Sequence, residues 1–172
     1  MIGDSTNKNL SLVIVAIIGA SVLGGGWYLL QIKGDRIDFS IPDVEGNTVT
    51  LSDYSDEVIV LDFMATWCGP CRFAMRDLVS VQNEIGDQFV LISITVDPNF
   101  DTVPVLKEWM DNYDATWIHT RDLADPPVTQ QFSIREIPTY VILDRNGEIR
   151  FRHVGPVSAQ VLKTEILSLV NE

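Results

Sequence analysis

Val58-Ile59-Val60-Leu61-Asp62-Phe63, then Met64-Ala65-Thr66, then Trp67-Cys68-Gly69-Pro70-Cys71 is the stretch whose reading decides the fold. Its first part is short, β-branched and bounded by polar Ser55-Asp56-Glu57, so it reads as a buried strand. From Arg72 to Val81, Phe73, Met75, Leu78, Val79 and Val81 form an imperfect apolar stripe, which reads as a helix. Cys68 therefore falls where strand gives way to helix. A thiol there meets unpaired backbone N–H groups and the positive end of the helix dipole, and both favour the thiolate. Cys68 and Cys71 are the only cysteines in 172 residues. Two cysteines cannot build a disulfide scaffold, whereas a CxxC beside strand–helix alternation is a redox pattern. Cys68 is placed as the attacking thiolate, and Cys71, one turn further in, as the resolving thiol.

Only modest activation is needed. Lowering a thiol pKa from ~8.5 to ~7 raises the thiolate fraction at neutral pH roughly fifteen-fold, and a Brønsted slope of ~0.5 takes back about five-fold in nucleophilicity. Asp62 sits among apolar neighbours six residues before Cys68. A carboxyl buried there has a raised pKa and can accept the Cys71 proton; a solvent-facing Asp at a strand edge is the other reading. Arg72 adds positive charge close to the thiols. Gly69 and Pro70 shape the turn. Trp67 either covers one side of the site or packs in the core, and Trp109 and Trp117 read as core residues.

Outward from this stretch, residues 1–9 form a short polar tail and residues 10–32 a transmembrane anchor. Leu10 to Leu30 runs for about twenty-one residues without a charge, enough at 1.5 Å each to cross a ~30 Å hydrocarbon core. Trp27 and Tyr28 lie near its end, where aromatic residues meet the headgroups. A cleaved signal peptide fits less well, because a signal's apolar core is usually about 7 to 15 residues. Lys8 on one side and Lys33 and Arg36 on the other leave the positive-inside balance nearly even. Residues 33–38 form a link, and residues 39–172 a single domain, in keeping with the usual domain size of about 100 to 150 residues.

Within that domain, Phe39-Ser40-Ile41 and Thr48-Val49-Thr50-Leu51 flank the turn residues Asp43 to Asn47 and read as a hairpin. Gln88 to Val96 reads as a central strand, and Asp101 is placed to cap a helix over Thr102 to Tyr113. Thr116 to His119 forms a short strand, and Pro126-Pro127 opens a helical turn through Phe132. Thr139 to Leu143 and Glu148 to His153 flank an Asn146-Gly147 turn, before a last helix from Ser158 to Val170 with Val161, Leu162, Ile166, Leu169 and Val170 inward. The order is two lead-in strands and then β-α-β-α-β-α-β-β-α. It predicts an α/β sandwich with a central mixed sheet, helices on both faces, and its chemistry at the carboxyl end of a parallel strand.

WCGPC preceded by Val60-Leu61-Asp62-Phe63 and followed by Ile137-Pro138-Thr139 resembles the thioredoxin active site. The lead-in from Phe39-Ser40-Ile41-Pro42-Asp43 through Gly46, Val49, Leu51 and Tyr54 resembles more specifically the membrane-tethered, extracytoplasmic thioredoxin-like proteins of the TlpA and ResA type. This resemblance covers roughly Asp38 to Val170 and implies a thioredoxin-like sandwich. It matches Asp62 to the family's buried acid and Pro138 to its cis-proline, which leaves Ile137 backbone free to pair with an extended substrate. Trp67, Gly69, Pro70 and Ile137 are then substrate-contacting residues, and Cys68, Cys71, Asp62 and Pro138 the reacting group. It also implies an outward-facing domain at the membrane and a partner protein carrying a disulfide or dithiol. If the protein reduces, a transmembrane electron donor must supply it. Related anchored proteins reduce apocytochrome c cysteines before haem attachment, or cysteines at copper sites.

Twenty-four acidic against twelve basic residues, a net charge of −12, argue against a nucleic-acid surface. No cofactor is expected, since the thiols carry the chemistry. No metal is expected either, because zinc takes four ligands and the only histidines, His119 and His153, are far apart in sequence. Two other readings stay open. Thr95-Val96-Asp97-Pro98-Asn99-Phe100-Asp101-Thr102 resembles the copper-delivery Sco proteins, although those use CxxxC with a histidine. A thiol peroxidase of the peroxiredoxin kind would place Thr three residues before its cysteine, whereas Thr66 is two before Cys68.

Overall fold

The computed structural model describes residues 36–172, so the expected tail and membrane anchor lie outside the described residues. Among those described, no helix is long and apolar enough to cross a membrane. β1 (Ser40–Pro42) and β2 (Thr48–Thr50) pair antiparallel, with Ile41 opposite Val49. Gly46 turns the chain between them at φ +89°, a conformation open to glycine. The Asp43 carboxylate accepts from the Glu45 and Asn47 N–H groups and closes the loop.

A 3₁₀ turn over Leu51–Tyr54 leads to β3 (Ile59–Met64), which is buried along its whole length, as a central strand covered on both faces must be. α1 (Gly69–Ile85) follows, then β4 (Val90–Thr95), α2 (Val103–Tyr113) and β5 (Ile118–Arg121). The short α3 (Val128–Gln131) precedes β6 (Thr139–Leu143), β7 (Ile149–Val154) and α4 (Ala159–Val170). The sheet runs β5-β4-β3-β6-β7, with β3, β4 and β5 parallel and β6 and β7 antiparallel to their neighbours. This is a thioredoxin-like α/β fold with a central mixed sheet.

Strand alternation sends side chains to two separate cores. Val60 and Met64 pack on one face with Met75, Leu78 and Val81 of α1 and Leu162, Ile166 and Leu169 of α4. Ile59, Leu61 and Phe63 pack on the other with Ile41, Val49, Val128 and Phe132. That second face is covered mainly by β1, β2 and the one-turn α3 rather than by long helices, because an extended hairpin can lay its own apolar side on a sheet. The Val44 N–H donates to the His119 carbonyl, which ties the hairpin loop to the edge strand β5.

Several local expectations shift. α1 is longer than the Arg72 to Val81 stripe and buries Cys71, Ala74, Met75, Leu78, Val81 and Ile85. Phe73, roughly 200° round the helix from Cys71, stands 71 % exposed. Val161 is exposed for the same reason, while Leu162, Ile166 and Leu169 face inward. Asp101 does not cap α2; Thr102 holds that position, and Asp101 is buried.

Candidate active site

Cys68 is the N-cap residue of α1, and its Sγ accepts a hydrogen bond from the Cys71 N–H at 3.2 Å. One of the free donors at the helix start is thus aimed at the sulfur, which is where a thiolate would gain most. Cys68 and Cys71 are joined as a disulfide with Cα atoms 5.2 Å apart. The Cys68 residue is only 4 % exposed and Cys71 3 %. With the sulfurs bonded to each other, access runs past their neighbours. Gly69 and Pro70 are exposed, and a Cβ added at Gly69 would meet no atom within 4 Å.

Trp67 is 50 % exposed rather than part of the core, and its indole N–H donates to Asp97 at 3.1 Å. The indole is thereby tied to the segment just after β4. Across the site, the Ile137–Pro138 peptide is cis, and the Ile137 carbonyl oxygen lies 3.9 Å from Cys68 Sγ. The loop is held from both ends: the Thr139 hydroxyl donates to the Glu136 carbonyl and the Gly155 N–H to the Pro138 carbonyl. A groove of about 330 Å³ opens between these two sides, lined by Trp67, Val96, Ile134, Arg135, Glu136 and Ile137.

Asp62 lies between Val60 and Met64, so alternation sends its side chain to the face that holds Cys71. It is 2 % exposed, which removes the solvent-facing reading. Burial pushes its carboxyl up to about 7, and a 2.8 Å hydrogen bond from the Ser93 hydroxyl pulls the other way. A group that titrates near neutrality can hold or release a proton at working pH. Trp117, read as core, is buried as expected but also donates its indole N–H to Ser93 Oγ at 2.9 Å.

Two further groups shape the site in roles other than those their sequence positions suggest. The Asp101 carboxylate accepts from the Thr66 N–H and from the hydroxyls of Thr66 and Thr95, which anchors the residue before Trp67 to the end of β4. Arg72 turns its Nε back to the Thr66 carbonyl at 3.1 Å. The sequence pointed to Asp101 only as a helix cap and to Arg72 only as a nearby charge, and nothing local pointed to Ser93.

The remaining readings meet this geometry poorly. His119 lies on β5 and His153 on β7, at opposite edges of a five-stranded sheet, roughly 19 Å apart at the usual strand spacing. They cannot join one metal to the cysteines. The Thr66 hydroxyl is committed to Asp101 rather than to Cys68, which disfavours the peroxidase arrangement.

Residues 33–152 match the AhpC/TSA family. The chain is 26 % identical over 165 residues to the thioredoxin-like protein YneN of Bacillus subtilis, covering 90 % of this chain and 94 % of that one. It is 33 % identical over 110 residues to the thiol-disulfide oxidoreductase ResA of Oceanobacillus iheyensis, covering 62 % of this chain and 54 % of that one. Among solved structures, a thiol:disulfide interchange protein DsbE from Chlorobium tepidum aligns with a TM-score of 0.69 at 26 % identity, over 78 % of this chain and 94 % of that one.

Proposed function

The chain belongs to the AhpC/TSA family and is a thiol-disulfide oxidoreductase with a Cys-x-x-Cys pair, and from that premise we propose that it reduces protein disulfides outside the cytoplasm, tethered by residues 10–32. The observation that carries the reading is the placement of three things around one sulfur pair. Ile137 offers its carbonyl beside Cys68, a groove runs past Trp67, and a buried acid shares the face of Cys71.

The Cys68 thiolate attacks one sulfur of a substrate disulfide, forms a mixed disulfide and expels the other substrate sulfur as a thiolate. Cys71 passes its proton to Asp62 and then attacks Cys68 Sγ. The mixed disulfide breaks, the Cys68–Cys71 disulfide forms, and the second substrate sulfur leaves as a thiolate that takes up a proton. The substrate gains two electrons and the protein dithiol loses them. Asp62 assists the step that releases reduced substrate and equally its reverse, so the direction is set by the redox poise of the electron donor. A transmembrane electron donor then returns the pair to the dithiol. The substrate class is a protein with a disulfide near a haem-attachment or copper site, as the resemblance to the anchored proteins suggests.

The test uses intact cells expressing the full chain. A membrane-impermeant maleimide, added after mild reduction, should label Cys68 from outside, and Cys71→Ser should accumulate a mixed disulfide with a partner protein. Labelling only after lysis overturns the outward placement, and absence of any adduct overturns the two-step reduction.

A further inference from the structure

Parallel pairing puts Ser93 of β4 beside Asp62 of β3 and His119 of β5. The Ser93 hydroxyl donates to Asp62 Oδ2 at 2.8 Å and accepts the Trp117 indole N–H at 2.9 Å. All three residues are buried, Ser93 to 1 % exposure. An indole N–H can only donate, so it occupies a lone pair of the Ser93 oxygen and leaves the hydroxyl hydrogen free to point at the carboxylate. A hydroxyl would otherwise rotate to suit any acceptor.

We propose that Ser93 and Trp117 are positioning residues for Asp62: the indole orients the hydroxyl, and the hydroxyl holds the carboxylate in its charged form for the Cys71 proton. This rests on Asp62 being the base of the proposed reaction. Among the described residues, Ser93 is the one hydrogen-bond donor to that carboxylate. The other titratable groups on this face are Cys71 and Asp77 of α1, Tyr140 of β6, paired with Asp62 across the sheet, and His119 of β5. Burial holds both Tyr140 and His119 neutral at pH 7. With no cation facing Asp62 among the described residues, a fixed dipole is what offsets the cost of burying its charge. A donor of this kind binds an ionised acceptor more strongly than a neutral one.

The experiment titrates the Asp62 side-chain carboxyl by ¹³C NMR in the oxidised full chain, with Asp62→Asn identifying the signal. Ser93→Ala should move the titration midpoint up by about one pH unit. Trp117→Phe should move it in the same direction by less, and Ser93→Thr, which keeps the hydroxyl, should leave it in place. The pH profile of mixed-disulfide resolution should shift with it. A purely structural role would lower stability without moving the titration, so an unmoved midpoint in Ser93→Ala overturns the assignment. Should Ser93→Ala fail to fold, an unmoved midpoint in Trp117→Phe overturns it equally. A midpoint that moves while the resolution profile stays fixed supports the positioning of the carboxylate and overturns Asp62 as the base.

Discussion

The carbonyl oxygen of Ile137 lies 3.9 Å from Cys68 Sγ although 69 residues separate them. β6 begins two residues after Ile137 and pairs directly with β3, whose extension carries Cys68. The Ile137–Pro138 loop and the proposed nucleophile are thus delivered by neighbouring strands.

Cys68→Ser should abolish reduction of a protein disulfide by the full chain, because the sulfur that accepts the Cys71 N–H and faces Ile137 is the one proposed to attack. Cys71→Ser should keep the first attack and stall at the mixed disulfide, visible on a non-reducing gel. Turnover by Cys68→Ser would reverse the assignment of the two cysteines.

Asp62→Asn should slow resolution in a limited pH window. With its carboxyl raised to about 7, Asp62 is protonated well below that pH and cannot serve as a base in the wild type either. Above ~8.5 an unassisted thiol ionises without help. The deficit should therefore peak between about pH 7 and 8.5 and shrink on both sides. A deficit constant from pH 6 to pH 9, measured in single-turnover resolution, would make Asp62 a bystander.

The same carboxyl makes the oxidised protein less stable in alkali. Its folded pKa of about 7 exceeds its ordinary 3.8, so the stability that it contributes is fully present below about pH 4 and is lost as pH rises through 7. Asp62→Asn cannot ionise. Its gain over wild type in urea denaturation should be near zero at pH 4 and reach about 4 kcal/mol above pH 8. Parallel pH dependence of the two proteins would contradict the burial argument.

His119 acts in the opposite direction. It is 1 % exposed, stacks on Trp117 at 5.3 Å, and among the described residues neither ring nitrogen has a partner. Burial lowers its pKa from 6.5 to about 3, so its contribution is present above 6.5 and lost as pH falls below it. His119→Leu should therefore resist acid, with an advantage of about 3 kcal/mol at pH 4 over that at pH 7.5. Equal acid sensitivity in both proteins would show that His119 finds a partner when charged.

Phe132→Ala should cost about 3–5 kcal/mol, the usual penalty for emptying a buried aromatic site. Phe132 is 1 % exposed, meets Phe39 edge-on at 6.3 Å and lies 5.8 Å from Phe63. It joins the stretch before β1 to the central strand. A loss below about 1 kcal/mol in urea denaturation would mean that the hairpin repacks without it.

By itself the sequence determined what depends on short-range pattern. β-branched runs, Gly and Asn turns and helical stripes follow from preferences spanning a few residues. Hence the element order, the strand-to-helix position of Cys68 and the apolar setting of Asp62 were all legible in the chain. Tertiary structure decided what depends on register and on which sheet face a residue meets. Ser93 looks like an ordinary polar interruption of Val90–Thr95 until parallel pairing sets it beside Asp62. Asp101 looks like a helix cap until the end of β4 brings it to Thr66, and Trp67 reads equally as a cover for the site or as core until its bond to Asp97 decides between them. Strand pairing joins residues about thirty positions apart, and no local preference encodes which partner a side chain will meet.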